Sequence, residues 1–204
     1  MTYKDKVLWA DHDNIAAVVA LDIGHADLQQ CADSVIRLHA EWLWSRGRRD
    51  QNYRAASGSM MPFARWARGE RPVAEGNTLT WHQEGKASAE HSSFRHYLDS
   101  VFNWANTGSL ARQAAPTTLA ALRPGDFVVM PGSPGHAVLV LDLATGPGGQ
   151  RAVLLGQGYM PAQSFQVLRP EPESVWFPID EASGGIKTPF WEIFPWSALR
   201  RLDD

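Results

Sequence analysis

The chain has 204 residues, 44% of them hydrophobic and 20% charged, with a formal net charge of −3. That is enough apolar material for one domain with its own core, and a slightly acidic balance without a Lys/Arg block argues against a nucleic-acid partner. No apolar stretch approaches the roughly 20 residues that span a bilayer, and a single cysteine, Cys31, excludes an internal disulfide framework and a cysteine-rich zinc site.

In chain order, "KVLWA" (6–10) and "IAAVVALDIG" (15–24) read as strands, with "DHDN" as the turn between them. The opening residues lack the apolar run of a signal peptide, so the expectation is a cytoplasmic chain or one whose leader has been removed. A helix is expected from about Asp27, with Asp27 as N-cap and Gln30 as its third residue. Val35, Leu38 and Leu43 form its apolar face, and "SRG" (45–47) stops it. Residues 48–90 read as a loop-rich insertion holding a short strand near 79–82 and one wall of a cleft. The clearest helix is 92–105, where Phe94, Tyr97, Leu98, Val101, Phe102 and Ala105 repeat at helical spacing; "NTGS" ends it. Strands follow at 126–130, 136–143, 151–156 and about 163–168, joined by Gly/Pro-rich turns. The aromatic tail "IKTPFWEIFPWSALRRL" is expected to cover a sheet edge. Helices early and an antiparallel meander late predict a single α+β domain.

Cys31 falls in the first turn of its expected helix, where unpaired N–H groups and the helix dipole favour a thiolate. Cys31, Ser34, Val35 and Leu38 share one face. His136 opens a central strand and Gln157 ends the next one. A cysteine, a histidine and a polar third group are the parts of a cysteine hydrolase: the imidazole takes the thiol proton and the third group fixes its tautomer. The plainer reading of each is a small buried hydrophobe, a strand-edge histidine and a residue that ties down a turn.

This order of parts, a helix-borne cysteine, then "RPGDFVVM", then "HAVLVLDL", resembles the NlpC-type papain-like peptidoglycan endopeptidases. "DLQQCADSVIRLHAEWLW", "WARGERP", "FNWANTGSL" and "GYMPAQSFQVL" are similar to an uncharacterised bacterial family of that fold type, the domain of unknown function 4846. The resemblance implies a papain-like fold, Cys31 as nucleophile, His136 as general base, Gln157 as orienting residue, and a peptide or peptidoglycan-like substrate at the cell envelope. The endopeptidases carry Asp-Cys-Ser-Gly around the nucleophile; this chain has Gln30-Cys31-Ala32-Asp33.

Trp66, Arg68 and Arg71, in the loop-rich insertion, are candidates to face the space above Cys31 and hold substrate. Arg37 is a further candidate for a substrate carboxylate, equally placed to pair with Asp33 at i,i+4. No metal is expected: His91 and His96 are five residues apart on different helix faces, and Asp11, His12 and Asp13 sit in a turn. "GSPG", "GPGG" and "SGG" lack a phosphate loop's frame, so no cofactor is expected. The alternative to a hydrolase is an inactive binding module of the same fold that holds a peptide or glycan in a cleft lined by some of the nine tryptophans.

Overall fold

A computed structural model describes residues 1–7 and 12–204. The strand expected at 6–10, and Asp11 of the turn after it, fall mainly on residues 8–11, outside the described residues. The next strand is shorter than expected, β1 (Ile15–Val18). Beyond it the chain turns away, with Gly24 at φ +73°.

Helix α1 (Cys31–Ser45) begins three residues later than predicted, with Gln30 as N-cap. Asp27 is drawn instead into tertiary structure, accepting from Gln30 Nε2 at 3.0 Å and from the Ala162 N–H at 2.7 Å. Asp33 takes over the local capping role and accepts from the Gln30 N–H at 3.1 Å. Cys31 is therefore the first helical residue, and α1 buries Cys31, Ala32, Val35, Ile36, Ala40 and Leu43.

Residues 48–90 are more ordered than their composition predicts. They form the hairpin β2 (Asn52–Arg54) with β3 (Met60–Pro62), a short helix α2 (Phe63–Ala67), and the hairpin β4 (Glu70–Glu75) with β5 (Thr78–Gln83). Tyr53, Met61, Phe63 and Trp66 fix this segment by entering the main core. The second hairpin closes through the two-residue turn Gly76–Asn77, with Glu75 opposite Thr78.

Helix α3 (His91–Trp104) buries the predicted stripe Phe94, Tyr97, Leu98, Val101 and Phe102. "NTGS" does end α3, but it also starts a helix that the sequence reading missed, α4 (Thr107–Gln113). Asn106 and Ser109 cap it reciprocally: the Asn106 side chain accepts from the Ser109 N–H at 2.8 Å, and Ser109 Oγ accepts from the Asn106 N–H at 3.0 Å.

The sheet is completed by β6 (Ala115–Pro116), β7 (Phe127–Met130), β8 (His136–Thr145), β9 (Arg151–Gln157), β10 (Gln166–Leu168), β11 (Phe177–Pro178) and, after the separate hairpin β12 (Gly185–Thr188) with β13 (Trp191–Pro195), by β14 (Leu199–Arg201). Its order is β1-β10-β9-β8-β7-β14-β6, with β11 also paired to β9. The pairings are antiparallel. The aromatic tail thus splits: its last strand lies inside the sheet between β7 and β6, and its hairpin packs on one face. Residues alternate between two cores. Phe127, Val129, Ala137 and Leu139 face the helices, whereas Val128, Val138, Val140, Val153 and Leu155 face the side that receives Ile186 and Phe194. The fold is α+β and mostly antiparallel.

Candidate active site

The start of β8 is where the candidate residues gather. Cys31 comes to it on α1, from the helix side. Its Sγ lies 3.8 Å from the Gly135 carbonyl oxygen, one residue before His136. His136 has the parity of Val138 and Val140, and its ring sits among aromatic side chains: centroid distances are 4.9 Å to Trp191, 5.3 Å to Tyr159 and 6.0 Å to Phe194. The hairpin β12–β13 therefore covers the imidazole, which is 0% exposed; Cys31 is 4% exposed.

His136 Nε2 is 2.7 Å from Gln157 Oε1. The antiparallel pairing of β8 with β9 brings the end of one strand beside the start of the other, as their order in the sequence predicts. Nδ1 is buried and has no hydrogen-bond partner. The thiol–imidazole hydrogen bond expected of a catalytic pair is not formed: the thiol points to main chain, and Nδ1 is buried without a partner.

Electrostatics differ from the expectation of a reactive thiolate. Burial pushes the Cys31 thiol up to about 11, with the Asp33 carboxylate adding to it against opposing backbone N–H groups. Loss of solvation outweighs the helix terminus, so the thiol is protonated at neutral pH. Burial likewise raises Asp33 to about 8. One of its oxygens, Oδ1, is buried without a partner. Burial lowers His136 below its ordinary value, and the hydrogen bond to Gln157 opposes that shift.

The candidate substrate-binding residues are engaged elsewhere. Trp66 belongs to the core, and its indole N–H donates to Ser93 Oγ at 3.1 Å. Arg71 lies 3.8 Å over the Trp66 ring and donates to the Trp66 carbonyl at 3.1 Å. Arg68 pairs with Glu70 at 2.8 Å. Arg37 is buried and pairs with Glu41, not Asp33, at 2.9 Å; it also donates to the Asp22 carbonyl and Gln29 Oε1. Each of the four side chains thus has a partner within the protein. Among the described residues no cluster of three or more His, Cys, Asp or Glu side chains is arranged to hold a metal ion, and no helix is long and apolar enough to cross a membrane.

Sequence reasoning missed the aromatic cover and the buried acid at Asp33. It also missed two glutamines behind Gln157. Gln166 lies directly opposite Gln157 in the β9–β10 register, and Gln163 follows in line. The signal was present in "PAQSFQVL", where two glutamines sit three apart before a buried strand.

No curated protein and no solved structure matches the chain. A family model described as a domain of unknown function (4846) matches residues 2–201, and the chain belongs to that family.

Proposed function

We propose that the protein is a thiol-dependent amide hydrolase of papain-like, NlpC-type architecture, captured with its site covered. Cys31 is the nucleophile, His136 the general base and Gln157 the residue that orients it. The observation that carries this reading is the imidazole itself: one nitrogen is tied to Gln157 at 2.7 Å, and the other is buried, neutral and unpaired beside the strand end that meets Cys31. A proton acceptor held in this way costs stability unless something uses it. The reaction needs the His136 ring to leave the face covered by hairpin β12–β13 and turn past the start of β8 towards Cys31, where Nδ1 takes the thiol proton. The sulfur then attacks the amide carbonyl, and the same proton passes to the leaving amine. The resemblance to peptidoglycan endopeptidases suggests a peptide of that kind as substrate.

A second reading is a silent member of the fold that binds a peptide or glycan without turnover. It is favoured by the thiol's burial and its high pKa. Release of free amine from muropeptides separates the two. The hydrolase cleaves them, and Cys31→Ala or His136→Ala stops cleavage; binding without amine release at any substrate concentration overturns it.

A further inference from the structure

We propose that Gln166 and Gln163 are positioning residues that fix the tautomer of His136 through Gln157. A glutamine alone cannot do this. Rotating its amide by half a turn exchanges oxygen for NH₂, so an isolated Gln157 suits an imidazole with the proton on either nitrogen. The three glutamines are buried, at 1%, 3% and 4% exposure for Gln157, Gln163 and Gln166, and they form one directional chain. Gln163 Nε2 donates to the Pro161 carbonyl at 3.0 Å, Gln166 Nε2 to Gln163 Oε1 at 2.9 Å, and Gln157 Nε2 to Gln166 Oε1 at 3.3 Å.

The direction is set at the far end. The Pro161 carbonyl can only accept, so Gln163 must present its NH₂ there and its oxygen to Gln166. That oxygen requires the Gln166 NH₂, which leaves the Gln166 oxygen for Gln157. The Gln157 NH₂ is thereby taken, and only its oxygen remains for His136. Nε2 must carry the proton and Nδ1 the lone pair. Each junction needs one donor and one acceptor, so reversing any amide reverses all three. The reversed chain sets Gln163 Oε1, on a buried side chain, against the Pro161 oxygen, two acceptors with no proton between them.

The tautomer claim stands on this geometry alone; its catalytic consequence rests on the hydrolase reading, because Nδ1 is a base only in this tautomer. The test is a long-range ¹H–¹⁵N spectrum of histidine-labelled protein near pH 8, with His136→Ala assigning the signals. Wild type shows a protonated Nε2 and an unprotonated Nδ1. Gln166→Met cuts the chain next to Gln157, and Gln163→Met cuts it one step further out. In either variant His136 becomes a mixture of tautomers while the rest of the spectrum stays native, and kcat falls roughly tenfold with KM unchanged. A wild-type ring protonated on Nδ1 overturns the proposal, and so does a folded variant of either kind that keeps the pure wild-type tautomer. The spectrum needs no turnover: the expected tautomer in a protein that cleaves nothing leaves the relay standing and removes the hydrolase, whereas an active enzyme with Nδ1 protonated removes the relay alone.

Discussion

Asp33 stands two residues after Cys31 in the first turn of α1, and its carboxylate opposes ionisation of the thiol. Asp33 itself titrates at about 8, so in the alkaline range where Cys31 titrates it is charged. Asp33→Asn is expected to lower the Cys31 pKa from about 11 while leaving it above the ordinary 9.0, because burial is the larger cause. Thiolate absorbance followed against pH measures this, with Cys31→Ser as the blank. An unmoved titration would mean that the carboxylate is not felt at the sulfur.

The same carboxyl makes stability depend on pH. Its folded pKa of about 8 lies above its ordinary 3.8, so the folded state holds a proton that the unfolded chain releases between those values. The contribution is full below about 4 and is lost as pH rises towards 8. His136 and His39 act in the opposite sense: burial lowers both below 6.5, so their contribution is lost as pH falls through that value. Between about pH 6.5 and 8 the Asp33 effect stands alone. The melting temperature of the wild type should fall across this window, and that of Asp33→Asn should stay level. Parallel curves would contradict the assignment.

Trp191 is the nearest ring over His136. Trp191→Ala should uncover the imidazole and speed its carbethoxylation by diethyl pyrocarbonate several-fold, at a cost of about 2 kcal/mol in stability for a half-buried ring. Mass spectrometry of the His136 peptide reads the first effect and urea unfolding the second. Unchanged His136 labelling in the folded variant would show that β13 is not the cover.

Gln157→Ala removes the only hydrogen bond that the imidazole makes among the described residues. Turnover should slow by roughly ten- to a hundredfold, equivalent to about 1.4–2.7 kcal/mol of barrier, whereas Cys31→Ala abolishes it. The loss is modest because an uncharged amide stabilises an imidazolium less than a carboxylate does. A rate indifferent to Gln157→Ala but lost in His136→Ala would assign the orienting role to another residue.

Asp126, in the "PGD" turn before β7, is fully buried and held at both carboxylate oxygens by Arg201, at 2.5 and 2.7 Å. Its Oδ2 also accepts from the Arg123 N–H at 2.9 Å. Arg201→Ala leaves that carboxylate without its cation and should cost about 2–3 kcal/mol. Arg201→Lys should recover only part, since a point charge cannot grip both oxygens. Urea unfolding decides; a loss below about 0.5 kcal/mol, the scale of an ordinary surface change, would make the pair ornamental.

Periodicity carried the fold where one face of an element meets one core. The stripe of α3 and the strands β7, β8 and β9 were legible for that reason, and so was the meeting of His136 with Gln157. Local signals were misjudged where tertiary contacts compete for a side chain. Asp27 has the residue type of an N-cap, but Ala162 and Gln30 claim its carboxylate, and α1 starts at Cys31. Residues 48–90 look like loop because their strands are short and their order comes from four large anchors reaching a distant core. The thiol's chemistry was misread because a helix terminus is visible in a sequence and the depth of burial is not. Trp66, Arg68, Arg71 and Arg37 carry chemistry suited to a ligand, yet each finds a protein partner that lies only a few residues away or on a neighbouring helix.

The position of β14 between β7 and β6 has a consequence for how the chain is made. Leu199 pairs with Val128, and Arg200 pairs with Phe127 on one side and Pro116 on the other. Until β14 leaves the ribosome, the strand that carries the "PGD" turn has an open edge, and β6 has nothing to join. The opposite end of the sheet waits as well, since Ile15 must find Leu168. Both flanks of the sheet are closed by pairings far apart in sequence, which slows folding and leaves hydrogen-bonding edges exposed during synthesis. A nascent chain stalled before residue 199 should bind holdase chaperones, and its release should coincide with the emergence of β14.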